Sequence, residues 1–217
     1  MEIILENVTK TIRQTTVINN ISVTWKGGMV YGLKGHNGSG KTMIMRLISG
    51  LISPSSGRIL INGSELGRDF SFPPSLGLLL ESPGFLGSYT GFQNLYLISQ
   101  LKNKVFKDQI RDTLVRVGLD IQANKKYRKY SLGMKQRLGL AAAIMEKPDI
   151  ILLDEPTNAL DSNGIHMVKQ IINEERARGA LIVLSCHNSR DLHELSDEIY
   201  TIENGQFLDV QPRRKEC

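Results

Sequence analysis

The chain is punctuated by short runs that are apolar almost throughout: Met29–Leu33, Ser75–Leu80, Asp149–Asp154 and Ala180–Ser185. Runs this short, with no polar alternation, predict strands buried on both faces. Residues 2–8 and 16–25 predict two more strands, with Val8, Val17, Ile18, Ile21, Val23 and Trp25 supplying β-branched and aromatic character. Lys26-Gly27-Gly28 then turns the chain into the run at Met29. Arg58–Asn62 with Gly63 predicts a strand ending in an Asn-Gly turn, and Glu198–Ile202 with Gln206–Val210 a hairpin about Asn204-Gly205.

Helical spacing fills the intervals. Thr42–Ser49 predicts a first helix, broken by Pro54 and Gly57, and Ser162–Arg178 a later one. Between Gly84 and Lys147 the pattern is helical: Phe92, Leu95, Tyr96 and Ser99 share one face, and Ile110, Leu114 and Val117 another. Ser131 reads as the N-cap of a helix through Leu138, Leu140, Ala141 and Ile144, ended by Lys147-Pro148. Strands alternating with helices predict an α/β fold with a mainly parallel sheet covered on both faces. The stretch 84–147 is then an insertion carrying its own helix bundle, and Pro212-Arg213-Arg214-Lys215 a frayed tail.

A length of 217 residues fits a single domain, 1–217. No apolar run approaches the roughly 18 to 20 residues needed to cross a bilayer. Met1–Glu6 has no basic region followed by an apolar core, so the expectation is a cytosolic chain. Cys186, in an apolar strand, and Cys217 suggest no disulfide framework. The net charge of +5 is concentrated between Lys102 and Arg137, where many Lys and Arg face only Asp108, Asp112 and Asp120. That stretch reads as a solvated helical surface, or as a face for an acidic partner, anionic headgroups or nucleic acid.

The candidate chemistry begins at Gly35-His36-Asn37-Gly38-Ser39-Gly40-Lys41-Thr42, which spells G-x-x-x-x-G-K-[ST] between a strand and a helix. Glycines at 35, 38 and 40 permit turns in which successive N–H groups point inward at phosphate oxygens. The helix N-terminus adds partial positive charge. Lys41 is placed to reach the β- and γ-phosphates, and the Thr42 hydroxyl to ligate Mg²⁺. The strand Ile150–Leu153 ends in Asp154-Glu155. In a nucleotide-hydrolysing site the first carboxylate can hold Mg²⁺ and the second can polarise the attacking water.

With these motifs in place, the chain resembles the nucleotide-binding subunit of an ABC transporter over nearly its whole length. Ser131-Leu132-Gly133-Met134-Lys135-Gln136-Arg137 stands where that family has its signature helix, Asn158-Ala159-Leu160-Asp161 resembles the loop that crosses to the other subunit, and His187 resembles the switch histidine. The resemblance implies a P-loop NTPase of the ABC ATPase type, with an N-terminal antiparallel β subdomain and an inserted α-helical subdomain. It implies ATP and Mg²⁺ as cofactors, with Glu155 and His187 as catalytic residues and Thr42, Asp154 and Glu81 around the metal. Two copies, or this chain and a paralogue, would pack head to tail, so that Ser131 and Gly133 of one cap the nucleotide of the other and Asp161 lies at their boundary. The other implied partner is an integral membrane permease, whose short helix would enter a groove beside Glu81, Phe85, Tyr89 and Phe92. The chain would then sit at the cytoplasmic face of the membrane.

Three positions depart from the family pattern. Ile12 stands where an aromatic residue usually stacks on adenine, Glu81 where Gln is usual, and Tyr130-Ser131-Leu132-Gly133-Met134 where Leu-Ser-Gly-Gly-Gln is common. The last two resemble the branch of peptide-antibiotic exporters that give bacitracin or lantibiotic resistance and immunity. The rival expectation is a soluble regulatory or nucleic-acid-associated ABC ATPase using the basic insertion. It is opposed by the lack of a second cassette and of a long coiled coil. A nucleotide-binding scaffold without hydrolysis is opposed by Glu155.

Overall fold

The computed structural model describes residues 1–81, 84–102, 105–119 and 124–212. Among these, the elements in chain order are β1 (Glu2–Ile12), β2 (Thr15–Lys26), β3 (Val30–Lys34), α1 (Lys41–Ile48), β4 (Ser56–Ile61), β5 (Ser64–Glu65), β6 (Leu76–Leu79), α2 (Gly91–Lys102) and α3 (Lys107–Arg116). They continue with α4 (Leu132–Ile144), β7 (Ile150–Asp154), α5 (Ser162–Ala177), β8 (Leu181–Ser185), α6 (Ser189–Leu195), β9 (Glu198–Glu203) and β10 (Gln206–Pro212). One sheet has the order β2-β1-β4-β5, and its pairings are antiparallel. The other has the order β10-β9-β3-β8-β7-β6, parallel from β9 through β6 with β10 antiparallel at its edge.

The all-apolar runs are central strands because both faces of their sheet are covered. In β7, Ile150 and Leu152 join the core shared with the antiparallel sheet and α1, while Ile151 and Leu153 join the core on the opposite face. In β8, Leu181 and Val183 divide from Ile182 and Leu184 in the same way. The period-2 alternation of strand side chains therefore feeds two apolar layers with no polar position between them.

The described α-helices of the stretch 84–147, α2, α3 and α4, share one core with the sheet. Leu95 of α2, Ile110 and Leu114 of α3, and Leu138 and Ile144 of α4 belong to one continuous apolar cluster with Ile151 and Leu153 of the sheet. α4 lies so close to β6 that a Cβ on Gly77 would stand 1.9 Å from the carbonyl oxygen of Ala143. The inserted helices are present as expected, and α4 belongs to the sheet layer and to the helical layer at once.

Other differences are local. β1 runs past Val8 to Ile12, because its pairing with β2 resumes beyond a bulge at Asn7 (φ 51) although Thr9, Lys10 and Thr11 are polar. β5 and α6 were not evident from periodicity; β5 is two residues long, and α6 buries only Asp191, Leu192 and Leu195. Pro212, expected in a frayed tail, pairs with Glu198 in β10, and 213–217 lie outside the described residues, as do Ser82, Pro83 and Asp120. No described helix is long and apolar enough to cross a membrane.

A candidate nucleotide-binding cavity at the strand ends

β3, β7 and β8 are parallel neighbours, so their C-terminal ends open on one side, and the loop from β3 into α1 crosses in front of them. That crevice beyond the carboxyl ends of parallel strands is where open α/β sheets bind ligands. Here it is a cavity of about 710 Å³. Its wall includes Asn37, Gly38, Gly40, Lys41 and Thr42 from the glycine-rich loop, Glu81 after β6, Asp154 and Glu155 at the end of β7, and His187 after β8.

The glycine loop has the backbone its sequence demands. Gly38 (φ 81) and Gly40 (φ 115) take left-handed conformations, and Gly40 is the residue from which α1 starts. Lys41 folds over the loop and donates to the carbonyls of Gly35 and His36 at 2.8 and 3.0 Å. Gly35 and Ser39 support the loop from behind: Ser39 is buried, and a Cβ on Gly35 would meet its hydroxyl at 2.4 Å. The His36 imidazole turns to its own loop, with Nδ1 2.8 Å from the Asn37 carbonyl oxygen, and lines a neighbouring cavity.

The acidic end of β7 is tied down on three sides. Asp154 is buried and accepts from Thr42 Oγ1 and from Ser185 Oγ, each at 2.5 Å. Thr42 and Asp154 thus converge a hydroxyl and a carboxylate, the hard oxygen donors that suit Mg²⁺. Glu155 sits at φ 53 and its N–H donates to Ser185 Oγ at 3.1 Å, while its carbonyl accepts from Gln136 Nε2 at 2.9 Å. Its carboxylate Oε1 is 2.9 Å from His187 Nε2. Glu81 (φ 54) and Ala159 (φ 60) on the same cavity wall are also left-handed non-glycine residues. Such backbone strain is held where the surrounding structure over-determines it.

The residues of the signature helix divide. Leu132, Lys135 and Gln136 line the cavity, whereas Ser131 caps α4 by accepting from the Met134 N–H at 3.3 Å. Gly133 packs against the loop after Glu155, where a Cβ would stand 2.9 Å from the Ala159 carbonyl oxygen. Asp161 caps α5 through the Gly164 N–H at 2.8 Å, pairs with Arg137 at 3.5 Å, and does not line the cavity. Sequence reasoning missed Ser185 and Val17. Ser185 was visible as the lone hydroxyl closing an apolar strand; Val17, whose carbonyl lies against Gly40, carries no chemical signal of its own.

Comparison with known proteins agrees with this geometry. The ABC transporter family profile matches residues 18–158. The chain is 48% identical to the uncharacterized ABC transporter ATP-binding protein YybJ of Bacillus subtilis (strain 168), over 93% of this chain and 92% of that one. It is 35% identical to the bacitracin transport ATP-binding protein BcrA of Enterococcus faecalis, over 94% of this chain and 67% of that one. The fold superposes with a TM-score of 0.89, at 22% identity, on the dimeric ATP-binding cassette MJ0796 in a post-hydrolysis state bound to ADP and Pi, covering 98% of this chain and 99% of that one. Fold and cavity define a P-loop nucleotide-binding α/β protein of the ABC ATPase type. The chain belongs to the ABC transporter family, as an ATP-binding, ATP-hydrolysing subunit.

Proposed function

We propose that this chain binds ATP with Mg²⁺ in the strand-end cavity and hydrolyses it to drive export of a peptide antibiotic or bacteriocin through a separate membrane permease. The observation that carries the catalytic part is the Glu155–His187 contact of 2.9 Å in the cavity that also holds Lys41 and Thr42. A water beside the γ-phosphate gives a proton to the Glu155 carboxylate as its oxygen attacks the γ-phosphorus, the bond from that phosphorus to the β–γ bridging oxygen breaks, and ADP and inorganic phosphate leave; His187 keeps the carboxylate aimed and hydrogen-bonds the γ-phosphate. Lys41 exchanges its two loop carbonyls for phosphate oxygens, and the N–H groups of residues 36–42 surround the β-phosphate. Mg²⁺, held by Thr42 and Asp154, would neutralise phosphate charge.

Ser131 and Gly133, at the N-terminus of α4, cap the nucleotide of a second copy or a paralogue packed head to tail, and Asp161 lies at that boundary. The membrane permease approaches the face of Glu81, Phe85, Tyr89 and Phe92, of which Tyr89 presents an exposed ring while Phe85 and Phe92 are partly buried against the core, leaving this chain peripheral on the cytoplasmic face. Similarity to the bacitracin transport protein BcrA supports peptide export. Nucleic acid has no part in this reading.

Affinity capture of a tagged Glu155→Gln chain with ATP from detergent-solubilised, nuclease-treated cells tests the assignment, since the substitution slows hydrolysis and holds the ATP-bound dimer. Co-purification of a polytopic membrane protein is the expected result. Recovery of soluble or nucleic-acid-bound proteins alone would replace the transporter reading with a soluble regulatory one.

A further inference from the structure

Thr42 and Arg46 are four residues apart on α1, so they stand one above the other on the same helix face. Each meets a carboxylate at the end of a different strand. Thr42 Oγ1 donates to Asp154 Oδ2 at 2.5 Å, and one turn further on Arg46 Nη2 donates to Glu81 Oε1 at 2.5 Å. β6 and β7, which deliver Glu81 and Asp154, are parallel neighbours, so the two pairs lie side by side. Glu81 is also on the cavity wall with Thr42, Asp154 and Glu155, and its left-handed backbone (φ 54) fixes where its side chain starts.

We infer that Arg46 is a positioning residue that holds the Glu81 carboxylate at the edge of the Mg²⁺ site and competes with the cation for it. This rests on the nucleotide–Mg²⁺ reading of the cavity. Two physical facts favour competition over a fixed brace. The pair is open to water, with Arg46 38% and Glu81 63% exposed, and exposed ion pairs are weak enough to exchange. A carboxylate is also a hard oxygen ligand of the kind Mg²⁺ takes, so a Glu81 released from Arg46 adds negative charge and a donor beside Thr42 and Asp154. In this cavity a glutamate at position 81 is compatible with two further carboxylates because a guanidinium balances it.

The test is a Mg²⁺ titration of equilibrium nucleotide binding, read by a fluorescent ATP analogue, with Mn²⁺ binding followed by electron paramagnetic resonance as a second signal. Arg46→Ala should lower the half-saturating cation concentration roughly three- to fivefold, the scale of a weak exposed pair. Arg46→Lys should restore most of the wild-type curve, and in a Glu81→Gln background Arg46→Ala should change nothing. An Arg46→Ala curve superimposed on wild type, or one displaced to higher Mg²⁺, overturns the inference. So does an equal shift in the Glu81→Gln background. If the wild-type chain binds nucleotide with no cation dependence at all, the Mg²⁺ reading of the cavity fails instead, and the inference falls with it.

Discussion

Ser185, the last residue of β8, donates its hydroxyl to Asp154 Oδ1 at 2.5 Å and accepts the Glu155 N–H at 3.1 Å on the same oxygen. One fully buried hydroxyl therefore fixes both members of the acidic pair. Removing it leaves Asp154, itself buried, without one of its two hydroxyl donors, while the Glu155 N–H keeps the Ser185 carbonyl at 3.2 Å. A buried polar group deprived of its partner costs about 1–3 kcal/mol. Ser185→Ala should lose stability in that range by urea denaturation and should also reduce kcat, through misplacement of Glu155. A variant with wild-type stability and turnover would show that Thr42 and the backbone suffice to hold the pair.

Much of this was legible beforehand, and the exceptions share a cause. The glycine loop, Asp154-Glu155 and the strands behind them could be read because backbone geometry forces their spelling: glycine where φ is positive, apolar residues where both faces are covered. Ser185, Arg46 and Gln136 could not be assigned their partners, since each acts across elements distant in sequence and nothing local encodes the meeting. The shared core of α4 was hidden for the same reason: its pattern looks helical whether it packs on helices or on a sheet. Gly133 was read as a phosphate contact, and the fold adds a second requirement at that position, the approach of the Ala159 carbonyl.

The junction of α4 and β6 gives a prediction about stability alone. A methyl group at Gly77 would stand 1.9 Å from the Ala143 carbonyl oxygen and 2.7 Å from Pro148 Cγ. The first obstacle is backbone in the middle of a packed layer and cannot step aside as a flexible side chain would. Overpacking typically costs 1–3 kcal/mol and more when the backbone must shift, so Gly77→Ala should destabilise by about 3 kcal/mol or beyond. Calorimetry of the purified variant checks this; a loss below about 1 kcal/mol would mean that α4 can slide on the sheet.

Nucleotide affinity should also respond at Ile12, which stands outside the cavity wall. Ile12 ends β1 opposite Thr15, 43% exposed, beside the turn at Arg13 (φ 54). Among the described residues no Phe, Tyr or Trp ring lines the cavity, and Val17, which does, turns its carbonyl oxygen toward Gly40. A base stacked on an aromatic ring gains roughly 1–3 kcal/mol in nucleic-acid complexes. Ile12→Tyr should therefore tighten ATP binding about tenfold in equilibrium titrations. Unchanged affinity would place the base away from β1.

Alkaline pH should unfold this protein earlier than its ion pairs would suggest. Trp25, fully buried, stacks on Tyr31 with ring centroids 5.2 Å apart and meets Tyr200 edge-on at 5.6 Å. Burial raises the pKa of both phenols, and the Tyr200 hydroxyl, donating to Glu198 Oε2 at 2.8 Å, is raised further by that bond. Burial likewise pushes the Cys186 thiol up to about 12. These are acids kept neutral by folding, with values above those of the unfolded chain, about 10 for Tyr and 8.5 for Cys. Their contribution to stability is whole below the unfolded values and is lost as pH rises toward the folded ones, because the unfolded chain releases its protons first. The urea midpoint, followed by emission of the single tryptophan, should hold steady to about pH 8 and fall progressively above about pH 9 to 10. Tyr200→Phe should start from a lower midpoint, having lost the bond to Glu198, but decline less steeply. An identical alkaline slope in that variant would assign the loss to other groups.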